Sequence, residues 1–179
     1  MSRKINVAPL IGAHFDTLRN NRTGKLSKWD LSLHLLLPTV IALVSWLVLE
    51  VNLDNKYGNV IAALAIVFGF AFAAAIFIFQ LRMQMAEMQV SSAKSQIAEI
   101  APQIDTSAPK LVDQLFSNCM YAVILSGAST LLAGSVDVLG LGRIGDAALI
   151  WFTVHLVIVL LMCFKRIGSA YGKISRISK

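Results

Sequence analysis

Four stretches of this sequence, residues 31–49, 57–81, 114–136 and 147–164, carry no charged side chain, and nothing else constrains the fold as strongly. At about 1.5 Å rise per residue, each would reach roughly 27 to 38 Å as a helix, against about 30 Å of bilayer hydrocarbon. Lipid offers an open backbone no hydrogen-bond partners, so segments of this kind cross it as helices. Only 15% of the residues are charged and 56% are apolar, whereas a soluble domain has about 25% and 45–50%. A soluble helix must also keep a polar face, and residues 60–79 have no charged or amide side chain on any face. The predicted class is therefore all-α, an integral membrane protein with four transmembrane helices. Its expected parts are a basic amphipathic N-terminal segment (1–30), a transmembrane domain (31–165) and a basic tail (166–179).

Residues 1–30 are polar and basic, without the short apolar centre and small-residue exit of a cleavable signal, so the first span is expected to be retained. Cys119 and Cys163 fall in different spans with no Cys-x-x-Cys or Cys/His cluster nearby. Neither a disulfide framework nor a zinc site is indicated, and no cofactor or metal is expected.

Of the 16 Lys and Arg residues, only Lys56 and Arg143 fall in the first and third connections. The positive-inside rule then puts both termini and the middle loop in the cytoplasm of a bacterial inner membrane. Trp29, Tyr57 and Trp151 sit near span ends, where aromatic side chains with a polar handle favour the interface. Positive charge gathers at the two ends of the chain. Arg19, Arg22, Lys25 and Lys28 at one end, and Lys165, Arg166, Lys173 and Arg176 at the other, form a candidate polyanion-binding surface. The same charge would also serve to enforce topology and attract anionic headgroups.

Span two has one face of small residues, Gly58, Ala62, Ala65, Gly69 and Ala73, with Phe68, Phe70, Phe72, Phe77 and Phe79 largely elsewhere on the wheel. In lipid, where apolar burial gives no net drive, such rows let helices approach closely. The three-four spacing continues through Phe79, Met83, Ala86, Val90, Ala93, Ile97 and Ile100 with polar residues between. This predicts that span two extends into the cytoplasm as a coiled-coil-like hairpin with span three, over residues 82–117 and broken near Pro102. The small face, with Ala86, Val90, Ala93, Ile97 and Ile100, is a candidate oligomer interface.

In span three, Cys119, Ala122, Ser126, Thr130, Ala133 and Asp137 share one stripe at the helical period. Such a stripe can line a water-filled path, with Asp137 as a carboxylate near the outer mouth. Equally, its hydroxyls can bond back to the backbone and its small side chains serve packing. Pro38 bends span one, or marks where an interfacial segment starting at Trp29 turns into the membrane. His155 either titrates as a gate or satisfies itself with one bond to a neighbouring helix. His14, His34 and His155 fall on segments of different depth without metal-ligand spacing. Residues 7–20 make a short amphipathic helix, expected on the inner headgroups or on a neighbour's stalk. Ser27 to Asp30 has capping-box form and starts helix one. The Gly140-Leu-Gly142-Arg-Ile-Gly145 pattern matches a dinucleotide fingerprint but lacks the preceding strand, so it is a loop. With no Ser/His/Asp or Cys/His constellation, catalysis is not expected.

The stretch His14-Phe-Asp-Thr-Leu-Arg-Asn-Asn-Arg-Thr-Gly-Lys25 before a Trp-led first span, with four short spans and a small cytoplasmic hairpin, resembles small membrane effectors of bacterial anti-phage defence systems. The Hailong-type channel effector is nearest, and the Kiwa-type membrane component has a similar layout. The likeness concerns mainly residues 7–50 and carries no catalytic motif. It implies a homo-oligomeric channel governed by a nucleotide or oligonucleotide that depolarises the inner membrane. Four spans enclose too little interior for a private pore, so the leading expectation is an assembly of copies, such as a tetramer, in the lipid bilayer. Cation preference would follow from a ring of Asp137 side chains. The alternative is a non-conducting scaffold or sensor whose stalk recruits a soluble partner. A transporter subunit ranks third, since no inverted repeat is visible.

Overall fold

The computed structural model of this protein describes residues 6–19, 25–53, 56–94, 107–136 and 138–177. It is helical, with α1 (Ala8–Asp16), α2 (Lys28–Leu47), α3 (Tyr57–Lys94), α4 (Ser107–Val136) and α5 (Gly142–Ile177). No strand forms among the described residues beyond an isolated bridge between Arg19 and Leu26. Within α2 to α5 lie four segments long and apolar enough to cross a membrane: Lys28–Leu47, Tyr57–Met88, Pro109–Val136 and Gly142–Ser169.

These helices form a row, not a closed ring. α3 packs on α4, α4 on α5 and α5 on α2, while α1 rests on α4. One core cluster joins α3, α4 and α5 through Leu64, Ala71, Ala122, Leu125, Leu149 and Leu156. A second, toward the basic end where α2 and α4 begin and α5 finishes, joins Ala75, Ile78, Val112, Cys119 and Cys163.

Local chemistry sets the helix ends. Ser27 caps α2, its hydroxyl accepting the Asp30 N–H at 3.3 Å, and Asp30 in the first turn complements the helix dipole. The glycine pattern between α4 and α5 has a mechanical use. Gly140 and Gly142 adopt left-handed φ of 62° and 48°, which glycine reaches without steric cost. At Gly145 a Cβ would lie 2.6 Å from Val136 Cγ1, so only hydrogen allows α4 and α5 to meet there. At that same end Asp146, buried in the first turns of α5, accepts from the Tyr57 hydroxyl at 2.6 Å and from the Leu53 N–H at 3.3 Å. Arg143 donates to the Trp46 carbonyl and ties the end of α2 to the start of α5.

Two placements add to the expectations. The N-terminal amphipathic helix packs on α4 of its own chain, with His14 and, just past its end, Thr17 and Leu18 buried. The Trp151 indole N–H donates to Thr39 Oγ1 at 3.0 Å and its ring stacks on His155, because α5 turns that face toward α2.

Candidate functional site: a buried polar junction

Near the basic end α1, α2, α4 and α5 converge on polar side chains that water scarcely reaches. His14 comes from α1, His34 from α2, Asn118 and Tyr121 from one face of α4, and His155 from α5; all are buried. The His14 imidazole lies flat on the Tyr121 ring, centroids 4.0 Å apart and planes 6° from parallel. His14 and His34 are 5.9 Å apart, and His34 and His155 5.8 Å.

The hydrogen bonds assign the protons. His14 Nδ1 faces Asn118 Oδ1 at 2.9 Å, and an amide oxygen only accepts, so Nδ1 carries the hydrogen. The same reasoning puts a hydrogen on His34 Nδ1, 2.8 Å from the Asp30 carbonyl, and on His155 Nδ1, 2.7 Å from the His34 carbonyl. His155 Nε2 is then an acceptor, and the Tyr121 hydroxyl donates to it at 2.9 Å.

Pro38 makes the His155 bond available. Lacking an N–H, it cannot take the carbonyl four residues back, and that carbonyl belongs to His34. A helix-breaking residue in α2 thereby leaves an acceptor for a side chain of α5.

Three atoms of the junction have no partner among the described residues: His14 Nε2, His34 Nε2 and Asn118 Nδ2. Given the tautomers, two are bare imidazole lone pairs and one is an amide donor. Burial pulls the His14 pKa from 6.5 down to about 4, against the Asn118 hydrogen bond that would raise it. His14 is thus neutral at physiological pH. The Thr17 hydroxyl lies 2.7 Å from the His14 carbonyl and 2.9 Å from Asn118 Oδ1, closing α1 onto α4. Arg166 reaches the same place from α5, donating to the Thr17 carbonyl at 2.8 Å and to Gln114 Oε1. The junction is thus two hydrogen-bonded sets, His34–His155–Tyr121 and His14–Asn118–Thr17–Arg166, that meet where His14 stacks on Tyr121. Among the described residues no group of three or more His, Cys, Asp or Glu could hold a metal.

The expected pore stripe is enclosed within the chain. Cys119, Ala122, Ser126 and Ala133 are buried, and Thr130 is half-buried. The Ser126 hydroxyl donates back to the Ala122 carbonyl at 2.7 Å and Thr130 to the Ser126 carbonyl at 2.8 Å. A path lined by them would require the helices around α4 to part. Cys119 Sγ lies 3.9 Å from Cys163 Sγ, both thiols free. Asp137 lies outside the described residues.

The candidate oligomer-interface residues are placed differently. Gly58, Ala62, Ala65, Gly69 and Ala73 are all exposed, and a Cβ at Gly58 or Gly69 would meet nothing within 4 Å. α3 instead turns Leu64, Ala71, Ala75 and Ile78 to the core. Ala86 is half-buried, while Met83 and Val90 on the same seam are exposed. The α3–α4 hairpin is held by an ion pair of Arg82 with Asp113 at 2.8 Å. The Ala93 side chain, Ile97 and Ile100 lie outside the described residues.

Among the candidate polyanion-binding residues, Arg19 pairs with Asp16 at 2.9 Å. Lys25, Lys28 and Lys165 are exposed and Arg166 is half-buried. Arg22 and the side chains of Lys173 and Arg176 lie outside the described residues. Compared with protein-family models, curated proteins and solved structures, the chain matches none.

The sequence does not display the junction as a unit. Its signals were present as spacings: Asn118 and Tyr121 three apart on one helix face, His14 and Thr17 likewise, and Pro38 four residues after His34.

Proposed function

We propose that this protein is the subunit of a homo-oligomeric channel of the bacterial inner membrane, with both termini in the cytoplasm. One observation carries the reading: α3 points its row of small residues away from its own chain, into open space. In lipid such a row gains by close contact with another helix, and a second copy of α3 supplies a matching one. Since the interior of one chain is filled, passage of ions needs several copies arranged about a common axis. A cytoplasmic extension of α3 and α4 as a coiled-coil-like stalk would prolong the contact. The basic residues at the chain ends support control by a nucleotide or oligonucleotide, whose binding would weaken as salt rises. The role as an effector of anti-phage defence rests on the resemblance of residues 7–50.

Ion leakage from liposomes holding the purified protein, with candidate nucleotides added, tests the proposal. Leakage that disappears with Gly69→Leu is expected. A wild-type protein that stays monomeric and never conducts, and that leaves the membrane potential of expressing cells intact, overturns it. The hydroxyls of Ser126 and Thr130, satisfied on their own helix, favour a second reading, a non-conducting sensor that recruits a soluble partner. Self-association without leakage is the result that would select it.

A further inference from the structure

A cleft of roughly 530 Å³ opens between α2, α4 and α5 at the basic end, within the range of about 300–1,000 Å³ typical of small-ligand sites. Its lining is sorted by depth. Lys165 and Arg166 of α5 and Asp30 of α2 stand where the cleft meets the end of the bundle; Leu33, Leu37, Leu161, Met162 and Ile158 form the walls. Ile158 precedes Lys165 by two turns of α5, so the apolar lining descends about 10 Å below the charges. His34 also lines the cleft, and its Nε2 is one of the buried atoms without a partner.

The two cations lack carboxylate partners. Neither Lys165 nor Arg166 makes an ion pair among the described residues. Arg166 is held in place by Gln114 and by the Thr17 carbonyl, both neutral acceptors. Asp30 offsets one charge, which leaves one net positive. Such a rim suits a single anion, and the bare acceptor of His34 together with the Asp30 carboxylate suits hydroxyl donors beside it. Apolar walls beneath a cationic rim suit an acyl chain hanging from that anion.

We propose that this cleft binds one anionic phospholipid whose phosphodiester bears a hydroxylated headgroup, as in phosphatidylglycerol. The phosphate sits between Lys165 and Arg166, and one acyl chain lies along Leu33, Leu37, Leu161 and Met162. Because α5 carries both cations and Arg166 also holds the end of α1, the lipid bridges α2 and α5 next to the buried junction. The inference rests on the membrane reading alone and is independent of conduction and of self-association.

Native mass spectrometry of the whole protein in mild detergent, titrated separately with phosphatidylglycerol, phosphatidylethanolamine, diacylglycerol and inorganic phosphate, tests it. Phosphatidylglycerol is expected to give a one-to-one adduct that outlasts the other three. Lys165→Gln, a change at an exposed side chain, should weaken that adduct about fivefold, as expected for one cation near a lipid headgroup, and leave diacylglycerol unaffected. Leu37→Trp, which fills the apolar part, should weaken both lipids. Equal retention of phosphatidylglycerol and diacylglycerol would mean an apolar furrow without an anion site. Equal retention of phosphatidylethanolamine would refute the anionic assignment. Free phosphate binding as well as the lipid, or indifference to Lys165→Gln, would equally overturn the proposal. A chain that still conducts or self-associates after losing the lipid would leave the channel reading untouched.

Discussion

A buried hydroxyl is most informative when its partner cannot find another. Tyr121 donates to His155 Nε2 at 2.9 Å deep between α4 and α5, so Tyr121→Phe strands an acceptor while keeping the ring on which His14 stacks. Leaving such a group unpaired costs about 1–3 kcal/mol, and the melting temperature in detergent should fall accordingly without loss of helix by circular dichroism. His14 gives a pH test with a definite sign. Its pKa is depressed from 6.5 to about 4 in the folded chain, so the docked state holds its full advantage above pH 6.5. That advantage declines as pH falls toward 4, by about 3 kcal/mol over the whole window at 1.36 kcal/mol per unit. The protection factors of the α1 amides, their exchange taken relative to the intrinsic rate at each pH, should therefore fall between pH 7 and pH 5, and His14→Gln should flatten the profile. These residues were legible only singly in the sequence. Whether three histidines at distant positions meet depends on the rotation of each helix about its axis, which charge-free spans leave undetermined.

At the scale of the element, two glycines on helices have opposite meanings. Gly145 admits no Cβ because Val136 stands 2.6 Å away, so Gly145→Ala should cost about 1–3 kcal/mol through overpacking of the α4–α5 turn and lower the melting temperature. Gly69 faces open space. Gly69→Leu should leave the stability of the single chain unchanged and reduce the larger species seen by native mass spectrometry. If α3 faced only lipid, the larger side chain would make no difference to the mass distribution. The existence of four long apolar helices was readable from composition, but their ends were not, since α5 runs over Gly142–Ile177, well past the charge-free stretch 147–164. The partner of each face was not. The stripe on α4 and the row on α3 look alike as small-residue patterns, yet one is enclosed and the other bare, since α4 sits between α3 and α5 while α3 stands at the end of the row.

For the whole molecule, the row α3–α4–α5–α2 sets which surfaces remain for lipid, for ligands or for other copies. Half of the α4 span is buried, against 22% for α2 and 22% for α3, so α4 is the hub and the flanking helices carry the free faces. Antiparallel neighbours in that row bring the starts of α2 and α4 together with the last turns of α5, and the basic residues follow. Lys28, Lys110 and Lys165 then share one end of the bundle, with Lys56 and Leu139 at the other. An impermeant maleimide should label Lys56→Cys and Leu139→Cys in intact spheroplasts, and Lys28→Cys and Lys110→Cys only after the membrane is opened. The background is low, because both native thiols are almost wholly buried, Cys119 at 6% and Cys163 at 5% exposure. Labelling of Lys28→Cys from outside would invert the topology. It would also place the cationic rim of the cleft in the outer leaflet, because the same helix ends carry both.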